Sequence, residues 1–480
     1  MSAITLIARD ELRLMRRNRT AMIACALLIL LTLVAIISSW THQRGIEELR
    51  SRHQHEADAA FDSQPDRHPH RMVHYGTFIF RPLSALAAFD PGIDAFTGNS
   101  MFLEGHRQNT ANFGDVNQSS LLVRFGQLTP AFILQGVAPL LLIFLGYGAI
   151  AREREARTLR LLALQGVSPG AIVGGKLLAL LGLAGFVALP ALAGLGALVA
   201  FNASEALLPA LLIALGYMVW LSLWAVVILI VSAVVRHRRD ALLVLVALWA
   251  ISIVLLPRLA PAVAGNAVPL PNRLQTDVAI ARDLRKLGDA HNPDDPHFAA
   301  FKAAVLERYG VSRVEDLPVN YKGLLGIEGE RLSSQLFNAY GNASFAAQEK
   351  QNAIVTAIGT ISPAIALRSL SMAAAGTDFA AHRDFLEQAE TYRYDLIQHL
   401  NSLQAKAVTF TDDTAKDAEA DQRKRIGAEN WSTLPNFSYV APSSLVLAGK
   451  ALPAFSILAV WLCLAGLTLT FVTRRLGDRL

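Results

Sequence analysis

Cysteine is nearly missing from this 480-residue chain, and the two present, Cys25 and Cys463, lie inside apolar runs. That excludes a disulfide framework and any cysteine-based zinc module, and leaves both thiols as small hydrophobes. Charge is sparse as well. Only 17% of residues are Asp, Glu, Lys or Arg, against about 25% in soluble domains. With 53% of residues hydrophobic, the chain is not disordered, because disorder needs low hydrophobicity and high net charge. A formal net charge of +5 is too small at this length to mark a nucleic-acid binder. One catalytic signature is wanting too: no HExxH pair occurs. Residues 170–177 imitate a Walker A loop through Gly170, Gly175 and Lys176, but Leu177 stands where a Ser or Thr must hold magnesium. Lys176 is expected instead to snorkel from the start of an apolar helix toward headgroups. No other phosphate-binding glycine loop occurs, so no cofactor is expected on this chain, and energy from ATP would come from a partner.

What the chain has is long charge-free runs. Residues 21–39, 128–151, 177–204, 206–235, 241–257 and 451–473 contain no Asp, Glu, Lys or Arg. About 20 apolar residues in a helix cross the roughly 30 Å hydrocarbon core. The sequence therefore predicts an all-α integral membrane protein with six transmembrane helices at 21–40, 128–151, 171–204, 206–235, 241–260 and 451–473. Pro139 and Pro190 fall mid-span, which bilayer helices tolerate when neighbours satisfy the freed carbonyls. The near absence of ionisable residues at depth argues against a proton-coupled transporter or an intramembrane protease.

The short polar segments are basic. Arg9, Arg13, Arg16, Arg17 and Arg19 precede the first run; Arg152, Arg154, Arg157 and Arg160 follow the second; Arg236, Arg238 and Arg239 follow the fourth; Arg474, Arg475 and Arg479 end the chain. Six spans place all four on one side, which the positive-inside rule assigns to the cytoplasm together with both termini. The long segments, 41–127 and 261–450, then face the other side. From residue 40 to 127 there are 8 basic and 10 acidic residues, and from 261 to 450 there are 19 and 22. A cleaved signal peptide is disfavoured because the first run is too long and lacks a clean small-x-small site before Trp40. Residues 353–376 contain Pro363 and Arg368, so they are expected as a helix in the outer domain or at the membrane surface, not a seventh span.

Residues 1–20 predict an interfacial helix. Ile4, Ile7, Ala8, Leu12 and Met15 share one side, Arg9, Arg13, Arg16 and Arg17 the other, and Glu11 is an exception on the apolar side. Membrane lipids are the expected partner of the arginines. Segment 41–127 should open with a polar helical extension over about 43–60. Segment 261–450 reads as a mostly helical domain: Asp295 before Pro296 and Ser362 before Pro363 look like N-caps, and 379–405 has apolar residues at helical spacing. Residues 409–430 are polar and read as an exposed linker. Six of twelve histidines fall within 42–74. His68, His70 and His74 are candidates for zinc or copper, although their spacing is loose and a solvated loop is the plainer reading.

Segment 152–170 links the second and third spans. Glu153 and Arg157 are four apart with the acid first, a helix-favouring order, Leu159, Leu162 and Ala163 form an apolar strip, and Ser168 and Pro169 start the next helix. A short helix lying under the membrane and docking on a cytosolic protein fits this pattern. Residues 152–176 resemble the coupling-helix region of type-2 ABC transporter permeases through Glu153, Glu155, Thr158, Leu159, Leu162, Ser168, Gly175 and Lys176. Arg157 stands where that family often has Gly. Residues 362–371, 376–379, 382–385 and 431–439 resemble a bacterial subgroup with a large periplasmic domain between spans five and six. The resemblance implies a permease, an exporter, in a bacterial inner membrane. It implies a second permease copy or a related permease, and a separate cytosolic ATPase carrying ATP and Mg. Glu153, Glu155, Arg157, Thr158, Leu159 and Leu162 would contact that ATPase, and no nucleic acid is involved. The competing reading is a membrane-anchored sensor or scaffold whose outer domain binds a partner or metal; against it, every cytoplasmic segment is too short to carry an output domain.

Overall fold

The structure, a computed structural model, describes residues 2–111, 127–202, 204–288, 292 and 295–477. It is mostly helical, and six of its helices are long and apolar enough to cross a membrane. Helix α1 spans Ala3–Arg17, capped by the Ser2 hydroxyl, which accepts from the Thr5 amide. Asn18 interrupts the helix for one residue and caps its successor by accepting from Thr20 and Ala21. That successor, α2, runs unbroken over Arg19–Asp62. Its 44 residues reach about 66 Å, so the first span and the polar extension expected over 43–60 are one rod.

Beyond α2 lie α3 (Pro69–Tyr75) and a hairpin absent from the sequence reading. Strand β1, Thr77–Phe80, pairs antiparallel with β2, Ser100–Leu103, with Thr77 opposite Leu103. Four residues a side give too short an alternation to stand out. Residues 104–111, after β2, are turn and irregular structure, and residues 112–126 lie outside the described residues.

The second span opens at Pro130 with a π-turn, Ile133–Val137, and continues as α4, Ala138–Gly146. The widened turn precedes Pro139, which has no amide to donate and would crowd the carbonyl four residues back. Two short helices follow, α5 (Ala151–Glu155) and α6 (Thr158–Leu164), then α7 (Pro169–Asn202) and α8 (Leu207–Val234). In the fifth span α9 (Arg238–Trp249) passes through a π-turn, Ala250–Leu255, ahead of Pro257 and continues as α10 (Leu256–Ala267). The bundle core lies between α4, α7 and α8, around Tyr217, Trp220, Leu221 and Ile228.

The large domain contains α11 (Arg273–Leu287), α12 (Pro296–Tyr309), α13 (Tyr321–Gly359), α14 (Pro363–Ala375), α15 (Phe379–Ala407) and α16 (Phe410–Thr414). Asp295 caps α12 as its position suggests, accepting from the His297 and Phe298 amides. Ser362 makes no such cap, although Pro363 does start a helix. The last span is α17, Ser444–Gly477.

Two sequence expectations change here. Residues 353–376, expected as one helix in the outer domain or at the membrane surface, are the end of one helix and the whole of a second. Helix α13 ends at Gly359 and α14 turns back into the bundle, packing against α8 and α17 with Leu367 and Leu370 fully buried. A Cβ on Gly216 would meet Leu370 Cδ2 at 2.9 Å, so the glycine admits the wedge. Residues 409–430 are no plain linker either. Asp413 of α16 points inward, Ile426 bridges to Arg67, and Trp431 just beyond is fully buried against α3 and α15.

Candidate functional site

The segment between the second and third spans is built by its backbone first. Helix α5 ends at Glu155 and α6 begins at Thr158, because Arg157 adopts a left-handed conformation (φ 60°) between them. The chain thus makes the turn of a glycine with an arginine. It also breaks the single helix in which Glu153 and Arg157 would have faced each other; that pairing does not form. The Ser168 hydroxyl accepts from the Ala171 amide at the start of α7, as its place before Pro169 suggests.

Three charged side chains of α5, Glu153, Arg154 and Glu155, then tie it to three different spans. Glu153 reaches Lys176 of α7 at 2.5 Å. Arg154 donates to the carbonyls of Val235, at 2.6 Å, and Ala233, closing the end of α8 where carbonyls lack helical partners. Glu155 accepts from the Arg238 amide at 2.9 Å, at the start of α9, and lies 3.4 Å from the Arg238 side chain. Ser232 of α8 completes the attachment, accepting from the Ile150 and Ala151 amides at 3.0 and 3.1 Å. The carboxylates expected to face a partner therefore face the bundle.

Lys176 is the hub of this attachment. It does not snorkel: it is 2% exposed and pairs with Glu11 as well as Glu153. Arg152 adds a contact to Glu11 at 3.5 Å. Glu11, the misfit on the apolar side of α1, is thus the acid that receives Lys176. The neighbouring glycine explains the docking of α1 on α7: a Cβ on Gly175 would lie 2.6 Å from Ile7 Cβ and 2.9 Å from the Ile4 carbonyl oxygen. The pattern that imitates a phosphate loop is a helix-packing contact plus a buried cation. Arg9, Arg13, Arg16 and Arg17 occupy the exposed side of α1.

Helix α6 hangs from this anchor. Leu159 is buried in the bundle core and Leu162 is half-buried against it. Thr158 is exposed and its hydroxyl donates back to the Glu153 carbonyl at 3.2 Å. Leu161 and Leu164 point outward at 58% and 78% exposure. Sequence reasoning chose Leu159 and Leu162, the inward pair; the outward pair is the complement of that strip.

The histidine candidates divide. His68 accepts the His70 amide at Nδ1, 3.1 Å away, and its Nε2 meets Asp413 at 3.1 Å. Both its nitrogens are engaged, so it leaves the candidate metal set. Burial works against the Asp413 carboxylate, but hydrogen bonds from His68, Gln404 and Asn320 outweigh it and hold its pKa well below the usual range. His70 and His74, one turn apart on α3, meet Nε2 to Nε2 at 3.2 Å. The residue that joins them is His106, which sequence spacing did not suggest.

Two family models match the chain. One, described as an ABC-2 family transporter protein, matches residues 5–288, and the other, a domain of unknown function (DUF3526), matches residues 273–440. No curated protein matches it.

Proposed function

Because the chain belongs to the ABC-2 family of transporter membrane proteins, whose permeases pair with ATPase subunits, we propose that it is the permease subunit of an ATP-driven exporter coupled to a separate cytosolic ATPase. The basic end of the bundle lies in the cytoplasm, where the arginine-rich segments belong, and the large domain lies outside it, in a bacterial inner membrane. A second permease copy, or a related permease, completes the path. ATP and Mg bind on the ATPase.

One observation carries the coupling: α6 presents Leu161 and Leu164 to solvent while α5 behind it is fixed to α7, α8 and α9. Exposed leucines at 25 cal/mol per Å2 favour a protein partner that covers them. A push on α6 is passed through α5 to three spans at once. In this reading Leu161 and Leu164 touch the ATPase, with Arg157 and Arg160 beside them, while Glu153 and Glu155 hold the lever. Replacing both leucines by Glu should abolish co-purification of the cognate ATPase while the permease still inserts and folds. Retention of the ATPase by that variant removes α6 from the contact.

A further inference from the structure

We propose that His70, His74 and His106, all in the segment between the first two spans, form a binding site for one divalent transition-metal ion, Zn2+ or Cu2+. Their candidate ligand atoms all lie within 4.8 Å of one another. Metal–imidazole bonds of about 2.0–2.1 Å place tetrahedral nitrogens roughly 3.3 Å apart. His70 and His74 are already at 3.2 Å, and His106 supplies the third ligand atom within 4.8 Å of theirs. Three imidazoles suit zinc or copper and leave a fourth position for water or another ligand.

The protein builds this arrangement from separate elements. Gly105, following β2, lies so close to α3 that a Cβ there would meet Val73 Cγ1 at 2.3 Å, and its amide donates to the Val73 carbonyl at 2.9 Å. That approach delivers His106 beside His70 and His74. His106 holds a left-handed backbone (φ 63°), an unfavourable state for a side chain of this kind unless its surroundings impose it. Glu330 imposes it, accepting the His106 amide at 2.9 Å and lying 3.2 Å from Nδ1. A carboxylate on Nδ1 leaves Nε2 as the nitrogen for a metal, the usual support of a histidine ligand. Glu330 is itself fixed by Arg393 at 2.6 Å, and neither side chain is more than 1% exposed. Burial, and after it the neighbouring imidazoles, lower the His70 pKa to about 4; burial and His106 lower that of His74.

The test uses the full chain in detergent, stripped of metal and carrying no polyhistidine tag. Calorimetric titration with ZnCl2 and with CuCl2 should show one site per chain. His70→Gln, His74→Gln and His106→Gln should each weaken it at least tenfold, and His55→Gln should leave it unchanged. Unaltered binding in the triple variant overturns the assignment, as does a wild type that takes up neither ion. In that case the His70–His74 approach is an N–H···N hydrogen bond. Electron paramagnetic resonance of the Cu2+-loaded wild type gives a reading independent of variant folding: nitrogen hyperfine coupling supports the site, and an all-oxygen environment overturns it.

Discussion

Lys176 and Arg157 carry the two least replaceable roles at the basic end of the bundle, for opposite reasons. Lys176 is a buried cation between two carboxylates. Removing one member of a buried ionic group strands the others, at a cost of about 3–5 kcal/mol. Lys176→Met leaves Glu11 and Glu153 facing each other, whereas Glu153→Gln leaves Lys176 still paired with Glu11. Thermal unfolding in detergent should thus rank the variants wild type, Glu153→Gln, Lys176→Met in falling stability; the reverse order of the two variants would remove Lys176 from its central place. Arg157 makes no such contact, and its part in shaping the α5–α6 turn rests on φ. A left-handed backbone costs a residue with a Cβ about 1–2 kcal/mol, and a β-branched one more. Arg157→Gly should keep or raise the melting temperature, although the freer unfolded chain offsets about 0.4–1 kcal/mol of the gain. Arg157→Val should lower it, and equal melting of the two variants would show that the turn between α5 and α6 does not depend on this conformation.

At the scale of elements, the docking of α1 on α7 depends on Gly175, where any side chain collides with Ile7 and the Ile4 backbone. Gly175→Val should lift α1 from its seat and expose the bond after Arg13 or Arg17 to trypsin. Limited proteolysis measures this, and wild-type resistance in the variant would contradict the packing. The sequence reading reached some of these elements and missed others for physical reasons. The six helices long and apolar enough to cross a membrane were legible because each contains a charge-free run of helical length. The α5–α6 break was half legible: Arg157 stood out as an arginine at a turn position, but its effect on the helix needed the backbone. Glu11 looked like a misfit because its partner, Lys176, is 165 residues away. His106 was missed because it meets α3 only after the β1–β2 hairpin folds, with Gly105 removing the one side chain that would block the approach. Residues 409–430 looked polar enough for a linker because Asp413 gains its burial from His68, Asn320 and Gln404, each on another element.

The whole molecule turns on a parity argument. Six crossings return the chain to the face it started from; a seventh would send the C-terminal arginines to the opposite face. Helix α14 decides the count. It has 13 residues, about 20 Å, short of the roughly 30 Å core. It enters beside α8 and α17 and its next helix, α15, belongs again to the large domain. The hydrogen bond network at its end holds it there: Ser371 meets Tyr217 of α8 at 3.1 Å and donates to Asp90 from the segment after β1. In the proposed six-span topology the hairpin of α13 and α14 is a wedge that enters and leaves by one face, joining the large domain to the bundle without adding a crossing. Cysteines placed singly at Thr433 in the domain and at Gln165 beside α6 should distinguish the two faces, with both native cysteines replaced by Ala. A membrane-impermeant maleimide added to intact cells whose outer membrane is permeabilised should label position 433 at once, and position 165 only after the inner membrane is opened. Labelling of both from outside, or of 165 alone, would break the six-span parity and with it the cytoplasmic placement of α6 on which the coupling reading rests.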